Sequence, residues 1–168
     1  MEWYEWVIDV LGVLCTIASI ISAAKSAIYY KKSKNISQLC NNIVALNEME
    51  NLRNLLGELV GFSNSANIKG KQVVKIVSEI GNKMLSSVQC IEKNIDTYNW
   101  GKFCSFFNDK NFDIYSYLNK VISGEKNARD EVVSCFIKDA DFEIFQQGVN
   151  YFYNLIKQSI ENNKDELK

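Results

Sequence analysis

The chain has 168 residues, enough for one domain with a sizeable core, and its formal net charge of −1 excludes an overall basic field for nucleic acid. Hydrophobic residues make up 47% and charged residues 23%, ordinary values for a folded chain that argue against wholesale disorder. The sequence has no proline, 8 glycines and no sustained polar–apolar alternation, so we expect an all-α fold.

The first predicted element is an apolar segment from Val7 to Tyr30, with no charge between Asp9 and Lys25. A membrane-spanning helix needs about 20 mostly apolar residues. The two charges lie 16 residues apart, which is about 24 Å along a helix and places each near a membrane interface. Aromatic side chains flank both ends, as is typical of interfacial belts: Trp3, Trp6, Tyr29 and Tyr30. We therefore predict a transmembrane helix.

The charges on either side of this segment predict its orientation. Two glutamates and an aspartate lie at its N-terminal end, whereas Lys31, Lys32 and Lys34 follow it. By the positive-inside rule, the C-terminal side faces the cytoplasm. Residues 1–34 are thus predicted to be a membrane anchor and oligomerisation helix with its N-terminus outside the membrane, and residues 35–168 a cytoplasmic helical bundle. The acidic start disfavours a cleaved signal peptide, which would begin with a basic stretch.

One face of the predicted membrane helix carries small or polar side chains, three or four residues apart. Its members are Asp9, Gly12, Thr16, Ser19, Ala23 and Ser26. In lipid, small residues let helices approach closely and hydroxyls can bond across the contact. We predict that this small-residue face mediates self-association or lines a narrow ring of helices. The alternative is that alanine and serine are simply common in membrane helices.

The apolar segment is also compatible with a second architecture. A helix that is apolar nearly all round can be the central helix of a soluble bundle. The protein would then be a soluble helical adaptor or inhibitor whose first helix packs in its own bundle or on a partner. The length of the segment, its tryptophans and its lysine cluster favour the membrane.

The remaining chain is predicted to form helices separated by polar turns. Helices are expected over residues 36–60, 73–95, 98–112 (one or two short helices), 113–123, 128–139 and 141–163. Gly61 to Gly70 is predicted to be a loop, and Asp141 the N-cap of the last helix. The aromatic residues of 98–112 are expected to fill the core; the alternative is a partner surface or a pocket for a planar ligand.

Most of the chemistry that enzymes use is missing from the sequence. There is no histidine, the commonest general base and metal ligand, and no glycine-rich phosphate-binding loop. The five cysteines are scattered without a metal-binding spacing, so we expect them to fill the core: Cys15, Cys40, Cys90, Cys104 and Cys135. We predict no enzyme activity, no catalytic residue, no metal and no cofactor.

The chain has two arginines, Arg53 and Arg129, whose fork-shaped guanidinium suits phosphate or carboxylate groups. Each is a candidate contact to a ligand or phosphate, which would make the protein a helical nucleotide sensor. The simpler expectation is an exposed helix residue paired with an acid such as Glu50 or Glu131.

The layout of the chain resembles that of small membrane effectors of bacterial antiphage systems. The apolar run Gly12-Val-Leu-Cys-Thr-Ile-Ala-Ser-Ile-Ile-Ser-Ala23 ends near Lys31-Lys-Ser-Lys34, and a small helical body follows. This is similar to the single-pass accessory proteins that accompany RNA-targeting CRISPR nucleases. The resemblance implies a ring-forming membrane pore with a HEPN-like helical body and an RNA-guided nuclease as partner.

The resemblance does not extend to ribonuclease chemistry. HEPN ribonucleases carry an arginine, commonly followed by a polar residue, with a histidine a few residues further on. Arg53-Asn54 and Arg129-Asp130 match only the first half of that motif, and the chain has no histidine. What the resemblance implies is therefore a non-enzymatic oligomer that perturbs the inner membrane when a partner signals.

Overall fold

The computed structural model describes residues 3–64, 71–123 and 139–166, and within these ranges the chain is helical with no strand. Its helices are α1 (Trp3–Asn64), α2 (Lys71–Asn94), α3 (Thr97–Asn108), α4 (Ile114–Ser123) and α5 (Ala140–Glu166). The all-α prediction is confirmed for these residues. The helix predicted for 128–139 and the turn before it lie outside them, apart from Asp139.

The first helix is longer than the sequence pattern indicates. α1 continues through the lysine cluster without a break and includes Gly61 and Asn64. The loop prediction is therefore wrong for residues 61–64; the rest of it lies outside the described residues. The cost of one glycine in a helix is only about 1 kcal/mol. Burial of Leu59, which is 0% exposed, helps to hold these last turns in place.

The chain divides into two compact units, with the boundary between Ser37 and Gln38. The sequence-based division comes three residues earlier, after Lys34. The first unit consists of the N-terminal part of α1. The second contains the remainder of α1 together with α2, α3, α4 and α5.

The core of the second unit is built from apolar stripes at helical spacing. On α1 the fully buried stripe is Ala45, Met49, Leu52, Leu56 and Leu59. On α2 it is Val77, Ile80, Met84, Val88 and Ile91, followed by Ile95. Spacings of three and four residues place each stripe on one side of its helix. The helix predicted for residues 73–95 is therefore present as α2, with one face buried.

Aromatic rings fill the space between α3 and α5. The centre of the Phe103 ring lies 4.5 Å from that of Phe152 and 4.9 Å from that of Phe107. Phe103 and Phe107 are at most 1% exposed. Phe103 and Phe107 are thus core, as predicted, whereas Tyr98 of the same segment is 70% exposed. The Phe107 ring packs directly on the backbone of α5 at Gly148, where an added Cβ would lie 2.1 Å from its Cζ.

Two predictions about individual residues are corrected. The last helix begins at Ala140. Asp139 rather than Asp141 caps its N-terminus, because Asp139 Oδ1 accepts a hydrogen bond from the Asp141 N–H at 3.3 Å. Cys15 and Cys40 are exposed on α1 and do not fill a core. Two further cysteines, Cys90 and Cys104, are half-buried, and Cys135 lies outside the described residues.

Candidate functional site

The N-terminal unit presents an apolar surface with no buried side chain. Every side chain that the structure describes between Trp3 and Lys34 is exposed, and Trp3, Ile8 and Ile20 are 80%, 64% and 64% exposed. Among the described residues, α1 is the one helix long and apolar enough to cross a membrane, and no residue of its most apolar 18-residue window is buried. Soluble proteins rarely leave large contiguous apolar areas uncovered, so this surface is a candidate membrane span or interaction surface.

The hydroxyl groups in the middle of this segment are satisfied by the helix itself. Thr16 Oγ1 donates to the Gly12 carbonyl oxygen and Ser19 Oγ to that of Cys15, each at 2.8 Å. Such bonds to the carbonyl four residues earlier need no water. Thr16 and Ser19 therefore fit a hydrocarbon environment, where unsatisfied donors are costly.

The small-residue face predicted from sequence lies on one side of α1. At about 100° per residue its six members fall within an arc of about 100°. Val10, Leu14 and Ile17 lie on the opposite side. A shallow depression follows this face at Gly12, bounded by Asp9 and Thr16, because no atom lies within 4 Å of the position that a Cβ at Gly12 would take. The face therefore exposes helix backbone to a neighbour.

A second candidate site is a polar cleft between α1 and α5, within the second unit. It has a volume of about 430 Å³ and is lined by Glu50, Arg53, Asn54, Leu56, Gly57, Gln146 and Asn150. We call this the polar cleft. It contains one cation, one anion and three carboxamides. The sequence singled out Arg53 but missed Gln146 and Asn150, because only their spacing of four residues hints that they share a face.

Arg53 is held by an aromatic ring rather than by an acid. Its guanidinium carbon lies 4.6 Å from the centre of the Tyr153 ring on α5. In the part of the chain that the structure describes, Arg53 forms no ion pair, so the expected pairing with Glu50 is wrong. Stacking on a ring face is favourable for guanidinium and leaves its N–H groups directed outward at the edge. Arg129, the other predicted contact, lies outside the described residues.

A further cluster of charged groups joins α4 to the start of α5. Lys120 Nζ lies 2.9 Å from Asp139 Oδ2 and 3.8 Å from Asp141 Oδ2. The hydrogen bond from Lys120 holds the pKa of Asp139 below its ordinary value. Burial, with smaller contributions from these two carboxylates, raises the pKa of the nearby Tyr117. Because each charge has a partner of opposite sign, this cluster is explained as a structural ion pair.

The search for a metal site among the described residues is negative. They contain no group of three or more histidine, cysteine, aspartate or glutamate residues able to hold a metal ion. The half-buried Cys104 is a poor nucleophile, since burial raises its pKa. The two sites with distinctive geometry are therefore the apolar surface of the first unit and the polar cleft of the second.

Comparison with known proteins yields no relative: no family model matches the chain, and neither the curated proteins nor the solved structures contain a significant match.

Proposed function

We propose that this chain is a membrane-anchored, non-enzymatic helical protein that assembles through the small-residue face of α1. The observation that carries the proposal is the exposed apolar surface of residues 3–34, which includes the most apolar 18-residue window of the helix without one buried side chain. A bilayer covers the apolar side chains of such a surface, and the helix satisfies its own backbone there.

The flanking charges support an orientation with the N-terminus outside and the body in the bacterial cytoplasm. Lys31, Lys32 and Lys34 are exposed on the last turns before the second unit. Lysines adjacent to a span are retained on the cytoplasmic side. A membrane-impermeant maleimide tests this on intact cells. The exposed Cys40 should react only after the inner membrane is opened; reaction in cells with an intact inner membrane contradicts the orientation.

Self-association is supported by the exposed backbone at Gly12 and by the chemistry of the small-residue face. Without a hydrophobic drive between helices in lipid, close backbone approach supplies the contact energy. By its resemblance to antiphage effectors, we propose that the assembly is a pore, and that a partner protein, such as an RNA-guided nuclease, triggers it. The second unit would receive that signal or support the ring.

Membrane flotation of the full chain tests the anchor. Leu14 and Ile17 lie midway between Asp9 and Lys25, where each arginine costs about 2.5–3.5 kcal/mol of insertion energy. We expect the native chain to float with membranes after a carbonate wash. Leu14→Arg/Ile17→Arg should no longer float with the membranes. The control Val74→Arg/Tyr98→Arg changes two exposed positions outside the segment and should float like the native chain. Recovery of the native chain as a soluble protein would refute the anchor and favour the soluble adaptor.

Light scattering in detergent tests the assembly. We expect Ser19→Leu/Ala23→Leu to reduce the oligomer, because bulky side chains separate the helices. The matched control Ala18→Leu/Ala24→Leu adds similar volume outside the small-residue face and should leave the oligomer intact. Equal mass for all three proteins would eliminate this face as the interface. Release of a trapped dye from liposomes then distinguishes a conducting pore from a scaffold that only assembles.

A further inference from the structure

The polar cleft is lined by solvent-exposed polar side chains that converge from two helices. Glu50, Asn54, Gln146 and Asn150 form no hydrogen bond or ion pair with any other residue that the structure describes. They share the cleft with Arg53, whose contact is the ring of Tyr153. The neighbouring stripe of α1 through Met49 and Leu52 is, by contrast, buried in the core.

The groups of the cleft come from two helices and converge on one space. Glu50, Arg53, Asn54 and Gly57 recur on α1 at spacings of three, one and three residues, which places them on one face. Gln146 and Asn150, and then Tyr153, do the same on α5. Outside its own helix, nothing lies within 4 Å of the position that a Cβ at Gly57 would occupy, so no neighbouring side chain fills the cleft there.

Arg53 is organised in advance for an anion. Tyr153 restricts the guanidinium plane and leaves its N–H fork free, which lowers the entropy lost when a ligand binds. The fork matches the oxygens of a phosphate in a two-point contact. Glu50 on the same face would repel an isolated phosphate, but it accepts hydrogen bonds from ligand hydroxyl or amine groups.

The size and the donors of the cleft select among ligands. A volume of about 430 Å³ lies within the range of small-molecule sites, about 300–1,000 Å³, and exceeds what a simple ion fills. Carboxamides pair their oxygen and NH₂ with the donor and acceptor edge of a nucleobase. We propose that the polar cleft binds a mononucleotide, with its phosphate at Arg53 and its base edge at Asn54, Gln146 or Asn150.

This inference goes beyond the membrane function and is independent of it. Calorimetric titration of the full chain in detergent with AMP and GMP, and with adenosine and inorganic phosphate alone, tests it. At least one nucleotide should bind more tightly than either fragment. Arg53→Ala should weaken that binding at least about tenfold, because a charge-assisted contact is lost. Arg53→Lys should weaken it less, and at least one of Asn54→Leu, Gln146→Leu and Asn150→Leu should change the preference between the two bases.

The control Lys83→Ala removes one positive charge from an exposed position on α2 and should leave the affinity unchanged. Far-UV circular dichroism verifies that each variant is folded. If Arg53→Ala does not fold, the comparison with Arg53→Lys still tests the proposal. No binding of either nucleotide at millimolar concentration overturns the proposal. Equal affinity for inorganic phosphate and for the nucleotides also overturns it, because that indicates a simple anion site. Nucleotide binding that survives both Arg53 substitutions overturns it as well.

Discussion

The contact between Gly148 and Phe107 permits a quantitative test of the bundle. A Cβ at Gly148 would lie 2.1 Å from Phe107 Cζ and 2.5 Å from its Cε1. Carbon atoms attract one another best at about 3.5–4.0 Å, so the ring must move by more than about 1 Å. It cannot do so freely, because its centre lies 4.9 Å from that of Phe103 and 5.2 Å from that of Phe112.

We therefore expect Gly148→Ala to destabilise the protein. Overpacking of this kind costs about 1–3 kcal/mol or somewhat more, and the better helix propensity of alanine returns up to about 1 kcal/mol. The net loss in the free energy of unfolding is therefore up to about 3 kcal/mol, equivalent to a fall in Tm of up to about 12 °C for a chain of this length. Thermal unfolding in detergent, followed by far-UV circular dichroism, measures it.

Gly101 on α3 supplies the matched control. No atom lies within 4 Å of its Cβ position, so Gly101→Ala should raise the free energy of unfolding by about 0.5–1 kcal/mol. Replacing Phe107 by leucine in the Gly148→Ala background should recover part of the loss, because the smaller side chain vacates the contact. If Gly148→Ala stabilises the protein as Gly101→Ala does, the ring is not packed on the α5 backbone and the reasoning fails.

Further predictions concern the neighbouring contacts. Gly81→Ala should cost about 1–2 kcal/mol in urea unfolding, because its Cβ would meet Ile122 Cγ1 at 2.9 Å where α2 packs on α4. Asp139→Asn should lower stability at neutral pH by up to about 1 kcal/mol. Because Lys120 lowers the pKa of Asp139, that stability exists above the ordinary aspartate pKa and is lost on acidification. The free energy of unfolding of the variant should therefore fall less steeply than that of the native chain as the pH is lowered. Tyr115, whose pKa is raised to about 12 by desolvation and by its hydrogen bond to Glu92, should ionise at a higher pH than free tyrosine in an ultraviolet titration.

The periodic elements of the fold follow from local sequence, whereas the cleft does not. The stripe from Val77 to Ile91 repeats at helical spacing, so burial of one face of α2 is predictable without a structure. The polar cleft brings Arg53 together with Gln146 and Asn150, almost a hundred positions away. No local pattern pairs residues at that distance. The extension of α1 past Gly61 escaped prediction because one glycine is only a weak helix breaker, so it does not by itself fix where a helix ends.

Polar groups serve α1 in two different ways along its length. In the first unit Thr16 bonds its own helix, so it makes no demand on a neighbour. In the second unit Asn42 donates to Ser159 on α5 at 3.2 Å, and Asn51 donates to Ser87 on α2 at 3.0 Å. Apolar contacts alone are not directional and would tolerate a shift of one helical turn.

These two pairs oppose such a shift, because it would leave Asn42 and Ser87, both nearly buried, without their partners. α1 is therefore fixed in register where it meets α2 and α5. Its N-terminal unit, by contrast, presents an apolar surface and hydroxyls at Thr16 and Ser19 that need no outside partner. That division of polar groups is what a helix needs if one end belongs to a folded bundle and the other must meet lipid, or a second copy of itself, without a polar penalty.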